Sequence, residues 1–202
     1  MFHRHAHPRK GAFHHPGPYD KIAGRHARRL HARVATDVAA AGIPDGARVL
    51  DVGTGPGRVP LAIAEQAPGL RVEGIDLSEE MIEYARRLAT DAGVSDRVGF
   101  AVADVAELSY PDDSFDLVVS TLSQHHWADR EAGVGELLRV TKPTGQIWIY
   151  DVRFALRRAV AAAEAARAEV RRETVRTRRF SLGLITRLML RPSPSHTAGR
   201  AR

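Results

Sequence analysis

Arg48-Val49-Leu50-Asp51-Val52-Gly53-Thr54-Gly55-Pro56-Gly57 is the stretch that decides the fold. It is a short apolar strand that ends on a carboxylate and runs into three glycines at alternate positions. Glycine has no Cβ, so it tolerates a positive φ and lets a ligand lie against the backbone. Arg58 to Gln66 then reads as a helix with Pro60 in its first turn, whose free N–H groups would face the same ligand. A carboxylate just ahead of such a loop is a poor neighbour for a pyrophosphate. It is a good one for an ammonium or a ribose.

Outward from this loop the chain alternates strand and helix patterns. The strands read as Arg48–Val52, Arg71–Asp76, Val98–Ala103, Phe115–Ser120 and Gln146–Asp151. The helices between them read as Arg58–Gln66, Glu79–Asp91 and Arg130–Val140, with a turn-rich piece around Val105–Leu108. Ser78 is placed to cap the helix that follows it, with Glu79 and Glu80 in the first turn. Such alternation implies a parallel sheet covered on both faces. Three acids then stand at consecutive strand ends: Asp51, Asp76 and Asp104. In an open α/β sheet the ligand lies outside the carboxyl ends of the strands, at the switch point of the topology. A single strand-end Asp usually caps a turn, but three in step mark one ligand-binding edge.

Both ends of the chain differ from this core. Residues 1–18 are a lead rich in His and Pro, with the composition of a disordered segment. Lys21 to Ala41 has apolar residues at three- and four-residue intervals and is expected to form an amphipathic helix. After Asp151, Arg153 to about Arg172 reads as helix. Thr174–Phe180 and Leu184–Leu190 read as two strands that would add antiparallel character to one sheet edge. Residues 192–202 are a polar tail. The expected organisation is a single domain over 19–191, made of a helical cap (19–45), a ligand-binding core (46–151) and a last helix with strands (152–191).

At 202 residues, with 44% hydrophobic and 27% charged residues, the composition is that of a globular domain with a real core. No cysteine is present, which removes disulfides, thiolate nucleophiles and Cys-based zinc sites together. No apolar run approaches a membrane span or the core of a secretory signal, so a cytoplasmic protein is expected. The net charge of +6 is unevenly spread. Residues 49–150 hold 8 Lys/Arg against 17 Asp/Glu, while residues 151–202 hold 13 against 4. With 3 Lys among 30 cations, that basic end has the look of coding bias and a solvated face more than of a nucleic-acid groove.

The motifs together resemble the class I S-adenosylmethionine-dependent methyltransferases, within them the type 11, small-molecule and quinone-modifying group. Val49 to Gly57 is similar to the family's first motif, Gly74-Ile75-Asp76-Leu77-Ser78 to its second-strand acid, and Ala103-Asp104-Val105 to its adenine-side motif. Pro111 to Val118 resembles the lead into strand four, and Glu136 to Gln146 the helix, turn and strand that follow. Thr144 departs from the family's Lys-Pro-Gly-Gly. The resemblance implies an α/β, Rossmann-like doubly wound fold: a mostly parallel seven-stranded sheet with an antiparallel C-terminal strand, in three α/β/α layers. It also implies S-adenosylmethionine as cofactor, a small-molecule acceptor and methyl transfer to O, C or N.

Under that resemblance, Asp51 faces the ammonium of the cofactor, and Gly53, Thr54, Gly55 and Gly57 form the turn against its methionine part and ribose. Asp76 takes the ribose hydroxyls, Leu77 and Val105 enclose the adenine, Asp104 accepts from its amine, and Ser120 and Thr121 border the methionine end. His125 and His126 stand near the methyl group, where either could act as general base or simply pack. Tyr19 would close over the cofactor from the N-terminal segment. No metal is implied. The scarcity of insertions implies an open acceptor pocket, or one completed by a second subunit in a homodimer. A dinucleotide reading is weaker, because Gly-x-Gly-x-x-Gly would need glycine where Arg58 stands. The competing functions are a SAM-binding protein without catalysis and, further off, a nucleic-acid methyltransferase, against which stands the lack of an Asn/Asp-Pro-Pro-Tyr motif after strand four.

Overall fold

A computed structural model describes residues 16–175 and 185–193, with side chains from Ala27 onward. The helices are α1 (Pro16–Ala39), α2 (Arg58–Gln66), α3 (Glu79–Asp91), α4 (Arg130–Val140) and α5 (Arg157–Ala165). The strands are β1 (Arg48–Val52), β2 (Arg71–Asp76), β3 (Val98–Val102), β4 (Phe115–Thr121), β5 (Thr141–Val152), β6 (Glu169–Thr174) and β7 (Ile185–Arg191). They form one sheet in the order β3-β2-β1-β4-β5-β7-β6. β1 to β5 pair in parallel, and β7 is antiparallel to both of its neighbours, so it alone runs against the other six. The expected mostly parallel, three-layer α/β/α sheet is what forms.

Strand alternation divides the core between two faces. Val49, Val72, Leu117 and Trp148 pack beneath α1, α2 and α3. Leu50, Ile75, Val118 and Ile149 point the other way, into the layer of α4 and α5. Because both faces are covered, the central strands read as nearly continuous apolar runs. The order of strands reverses between β1 and β4, and that crevice receives the loops after both.

α1 begins at Pro16, earlier than the apolar periodicity suggested, and takes in the last residues of the segment expected to be disordered. The rest of that His-rich lead, and the 192–202 tail beyond Ser193, lie outside the described residues.

The clearest correction concerns the segment expected to be helical from Arg153 to Arg172. α5 stops at Ala165, and Glu169–Thr174 is the edge strand β6. The helix ends where Arg167 adopts φ 59°, with Ala168 N–H bonded to Ala163 O at 2.9 Å and Arg167 N–H to Glu164 O at 2.9 Å. This pair of reversed bonds is the usual left-handed helix stop, but with arginine in the place that glycine normally marks. Composition therefore continued the helix through a break it does not signal. Of the strand expected at Thr174–Phe180, the part after Val175 lies outside the described residues.

β5 starts directly after α4 and carries an irregularity in register between Phe115 and Leu117 of its partner. Lys142-Pro143-Thr144-Gly145 is this irregularity, rather than a free turn. A Cβ on Gly145 would lie 2.8 Å from the backbone oxygen of Asp116, while Thr144 is exposed. The fourth position of the motif must therefore be glycine, and the third need not be.

Candidate active site

The site is assembled at the carboxyl edge of the sheet by register. Asp51 pairs with Gly74 and Val119, Asp76 with Val102, and Ser120 with Ile149. The strand ends, and the loops they feed, therefore meet at one edge.

Asp51 is 1% exposed, and its Oδ2 accepts from Thr54 Oγ1 at 2.7 Å. Oδ1 is buried with no hydrogen-bond partner among the described residues. Burial raises the carboxyl, the Thr54 bond lowers it and the nearby Asp76 raises it again, leaving it pushed up to about 7. A buried acceptor of this kind is costly unless a donor meets it. A ligand ammonium is such a donor.

The glycine turn holds Asp51 and Asp76 together. Gly53 and Thr54 N–H both donate to Ile75 O at 2.9 Å, and Gly55 N–H donates to Asp76 Oδ2 at 2.9 Å. Asp76 Oδ1 accepts from Ser78 N–H at 3.0 Å. Burial raises the Asp76 carboxyl, against these backbone bonds. Each carboxylate oxygen can accept more than one bond, so Asp76 keeps capacity for two hydroxyls. Gly74 belongs to the same device: a Cβ there would meet Thr54 Oγ1 at 2.7 Å. The second motif's glycine thus makes room for the hydroxyl that binds the first motif's acid.

The three loop glycines have φ of 70°, 52° and 76°, but distinct uses. Gly55 opens onto free space, as a ligand-facing residue should. Gly53 does not: its missing Cβ is replaced by Ser123, whose Oγ lies 1.7 Å from where that Cβ would be. A Cβ on Gly57 would meet Phe100 and Ala85, so the core packing there requires glycine. Gly53 also lines the cleft beside the turn.

Beside the turn lies a cleft lined by Asp76, Leu77, Asp104, Val105, His126 and Trp127 among others. Asp104 Oδ1 accepts from Ala106 N–H at 3.0 Å, which fixes the carboxylate at the rim. At the end of β4, Ser120 is fully buried, and Ser120 Oγ and Thr121 Oγ1 have no hydrogen-bond partner among the described residues. Tyr19 rides on the first turn of α1, and its side chain lies outside the described ones.

The two histidine rings touch, with centroids 3.9 Å apart, but they take different partners. His126 lines the cleft; partial burial, then His125 and Arg130, hold its imidazole below the ordinary range, against the pull of Asp151. His125 turns instead to Asp151, with Nδ1 2.9 Å from Oδ1 and 3.0 Å from Oδ2. Asp151 is fully buried, and it also accepts from the N–H groups of His125 and Val152. The acceptor-only carboxylate makes Nδ1 the protonated nitrogen of the neutral ring and Nε2 the unprotonated one. Arg130 further pins this turn through the carbonyls of Gln124 and His125. Asp151 was missed as a site residue, though its signal was present: it is a fourth acid at a strand end, in step with the other three.

A sheet in this order, with a glycine turn joining two strand-end acids beside a cleft suited to a nucleoside, defines the Rossmann-like methyltransferases that use S-adenosylmethionine. Residues 49–145 match the family described as a methyltransferase domain. This core is thus a methyltransferase domain of the class I S-adenosylmethionine-dependent kind.

It is 36% identical over 135 residues to the methyltransferase GfsG of Streptomyces halstedii, covering 67% of this chain and 46% of that protein. It is 42% identical over 106 residues to 27-O-demethylrifamycin SV methyltransferase of Amycolatopsis mediterranei (strain S699), covering 52% of this chain and 39% of that protein. The chain thus spans less than half the length of these relatives. A solved SAM-dependent methyltransferase from Aquifex aeolicus superposes with a TM-score of 0.73 at 21% identity, over 88% of this chain and 98% of that one, and so shares the fold.

The residues present fit S-adenosylmethionine. The orphaned Asp51 Oδ1 suits its ammonium, Asp76 its ribose, and the cleft with Leu77, Asp104 and Val105 its adenine.

Proposed function

We propose that this protein transfers a methyl group from S-adenosylmethionine to a hydroxyl of a small organic acceptor, with His125 as general base and Asp151 as the residue that orients it. The cofactor supplies a methyl on a sulfonium, open to in-line displacement. His125 Nε2 takes the hydroxyl proton as the acceptor oxygen forms its bond to the methyl carbon, and the carbon–sulfur electron pair remains on sulfur. Alignment supplies much of the rate in such a displacement, and the base is needed where the acceptor must lose a proton. The observation that carries this reading is the His125–Asp151 pair at 2.9 Å on the same sheet edge as Asp51 and Asp76. It favours O-methylation over C- or N-methylation of an already nucleophilic atom. The names of the relatives, one of them an O-demethylrifamycin methyltransferase, support a small acceptor rather than a nucleic acid.

The test measures S-adenosylhomocysteine binding and turnover on a panel of phenols and aliphatic alcohols. Binding lost in Asp76→Ala, with turnover on at least one hydroxyl acceptor, is the expected result. Binding without turnover on any acceptor would favour a non-catalytic SAM-binding protein instead. Unchanged binding in Asp76→Ala would overturn the cofactor placement. A cytoplasmic location and a homodimer that completes the acceptor pocket belong to the same proposal; sedimentation velocity on the purified chain decides the second. No helix among the described residues is long and apolar enough to cross a membrane.

A further inference from the structure

Beyond Asp151 the chain builds a second cleft that the cofactor site does not use. It lies between the start of α5 and the β6–β7 edge, lined by Arg153, Leu156, Arg157, Val160, Arg172 and Thr186 among others. Its floor is apolar: Leu156 is 3% and Val160 7% exposed. Its charge is one-sided. Arg153 and Arg157 have no carboxylate partner among the described residues, and Arg172 only approaches Glu164 at 4.0 Å, both side chains being largely exposed. The one acid in the lining, Glu173, is engaged by Arg187.

Two further features point the same way. α5 begins without a side-chain cap and with no acid in its first turn, so its leading N–H groups remain as donors. Thr186 is 4% exposed, and its Oγ1 is buried without a hydrogen-bond partner among the described residues. Free guanidinium forks, uncapped helix N–H groups and an unsatisfied hydroxyl are together the donors that a carboxylate or phosphate needs. The cleft is also next to the chemistry. Thr186 pairs with Asp151 in the sheet register, and Arg153 follows Asp151 by two residues. Neighbouring strands lie about 5 Å apart, so the Thr186 end of the cleft stands one strand's width from Asp151.

We infer that this cleft binds an anionic group of the methyl acceptor, so that the substrate is a hydroxy compound carrying a carboxylate or phosphate. The apolar floor takes the carbon skeleton, the arginines take the anion, and the hydroxyl reaches His125 Nε2. The inference rests on the methyltransferase reading for its hydroxyl end only. The anion site itself can be examined alone.

Benzoate, benzamide and inorganic phosphate are titrated by calorimetry into the apoprotein and into the S-adenosylhomocysteine-saturated protein. Benzoate is expected to bind at least tenfold tighter than its neutral isostere benzamide. That preference should be lost in the Arg153→Ala/Arg157→Ala double variant, whose S-adenosylhomocysteine affinity stays as in the wild type. Both arginines are exposed, so the variant keeps its core, and Thr186→Val supplies an independent isosteric arm expected to weaken benzoate severalfold. Phosphate that competes with benzoate at lower concentration would assign the site to a phosphate-bearing acceptor; weaker competition would assign it to a carboxylate. Equal binding of benzoate and benzamide, or full benzoate binding by the double variant, would overturn the inference. A wild type that fails to bind S-adenosylhomocysteine would refute the methyl-donor reading, while the benzoate comparison on the apoprotein still decides the cleft.

Discussion

His125 Nδ1 lies 2.9 Å from Asp151 Oδ1, joining the turn after β4 to the end of β5 across 26 residues of sequence. The buried carboxylate holds the Nδ1 edge of the imidazole and leaves Nε2 outside that contact. If His125 is the base, His125→Ala lowers kcat by about 10²–10⁴-fold, the usual range for a lost general base. Asp151→Asn should also lower kcat while keeping KM for S-adenosylmethionine, because the amide no longer fixes the tautomer. Steady-state kinetics with a hydroxyl acceptor would read both. Wild-type kcat in His125→Ala would remove the base assignment.

Asp51 sets a pH dependence. Its folded carboxyl is raised from 3.8 to about 7, so the folded protein holds a proton that the unfolded chain releases. The associated stability is complete below pH 3.8 and is lost as pH rises through about 7. Asp76, also raised, adds the same sign. Without ligand, wild type should lose thermal stability across that window relative to Asp51→Asn. An ammonium placed against Asp51 restores the carboxylate, so S-adenosylhomocysteine binding near pH 7 should release a proton, seen by calorimetry in buffers of different ionisation heat. Identical pH slopes for the two proteins would refute the assignment.

Gly53 and Ser123 form a lock between the glycine turn and the loop after β4. Gly53→Ala would place a Cβ 2.5 Å from Ser123 Cβ at a backbone φ of 70°. It should lower Tm and weaken S-adenosylhomocysteine binding together. Gly53→Ala/Ser123→Gly should recover part of the loss, leaving about 1–2 kcal/mol of left-handed backbone strain. A double variant no better than the single would show that the clash is not the cause.

Arg167 is the one non-glycine residue at the left-handed end of α5, with φ 59°. Arg167→Gly removes that strain and should stabilise the fold by about 1 kcal/mol, a rise of about 2–4 °C in Tm for a chain of this size. A fall in Tm on thermal unfolding would count against the geometry of this helix stop.

Much of this was legible in sequence because it is local. The strand–turn–helix around Asp51, the β2 acid and the Ser78 cap follow from short-range rules, and Ser78 Oγ does accept from Met81 N–H at 3.3 Å. The end of α5 was not legible, because arginine occupies a position where glycine carries the signal. The separate uses of Gly53, Gly55 and Gly57 were not legible either. Each reads as a flexible residue, and only its surroundings show whether open space, Ser123 or Phe100 lies where the Cβ would be.

By itself the sequence determined the alternating α/β architecture, the ligand-binding edge and the family, since periodicity and strand-end acids are encoded within a few residues of one another. Tertiary structure alone decided that His125 faces Asp151 while His126 faces the cleft, and that Arg153, Arg157 and Thr186 share a pocket. These relationships depend on the β4–β5–β7 register, which brings together residues far apart along the chain and fixes which side chains share a face.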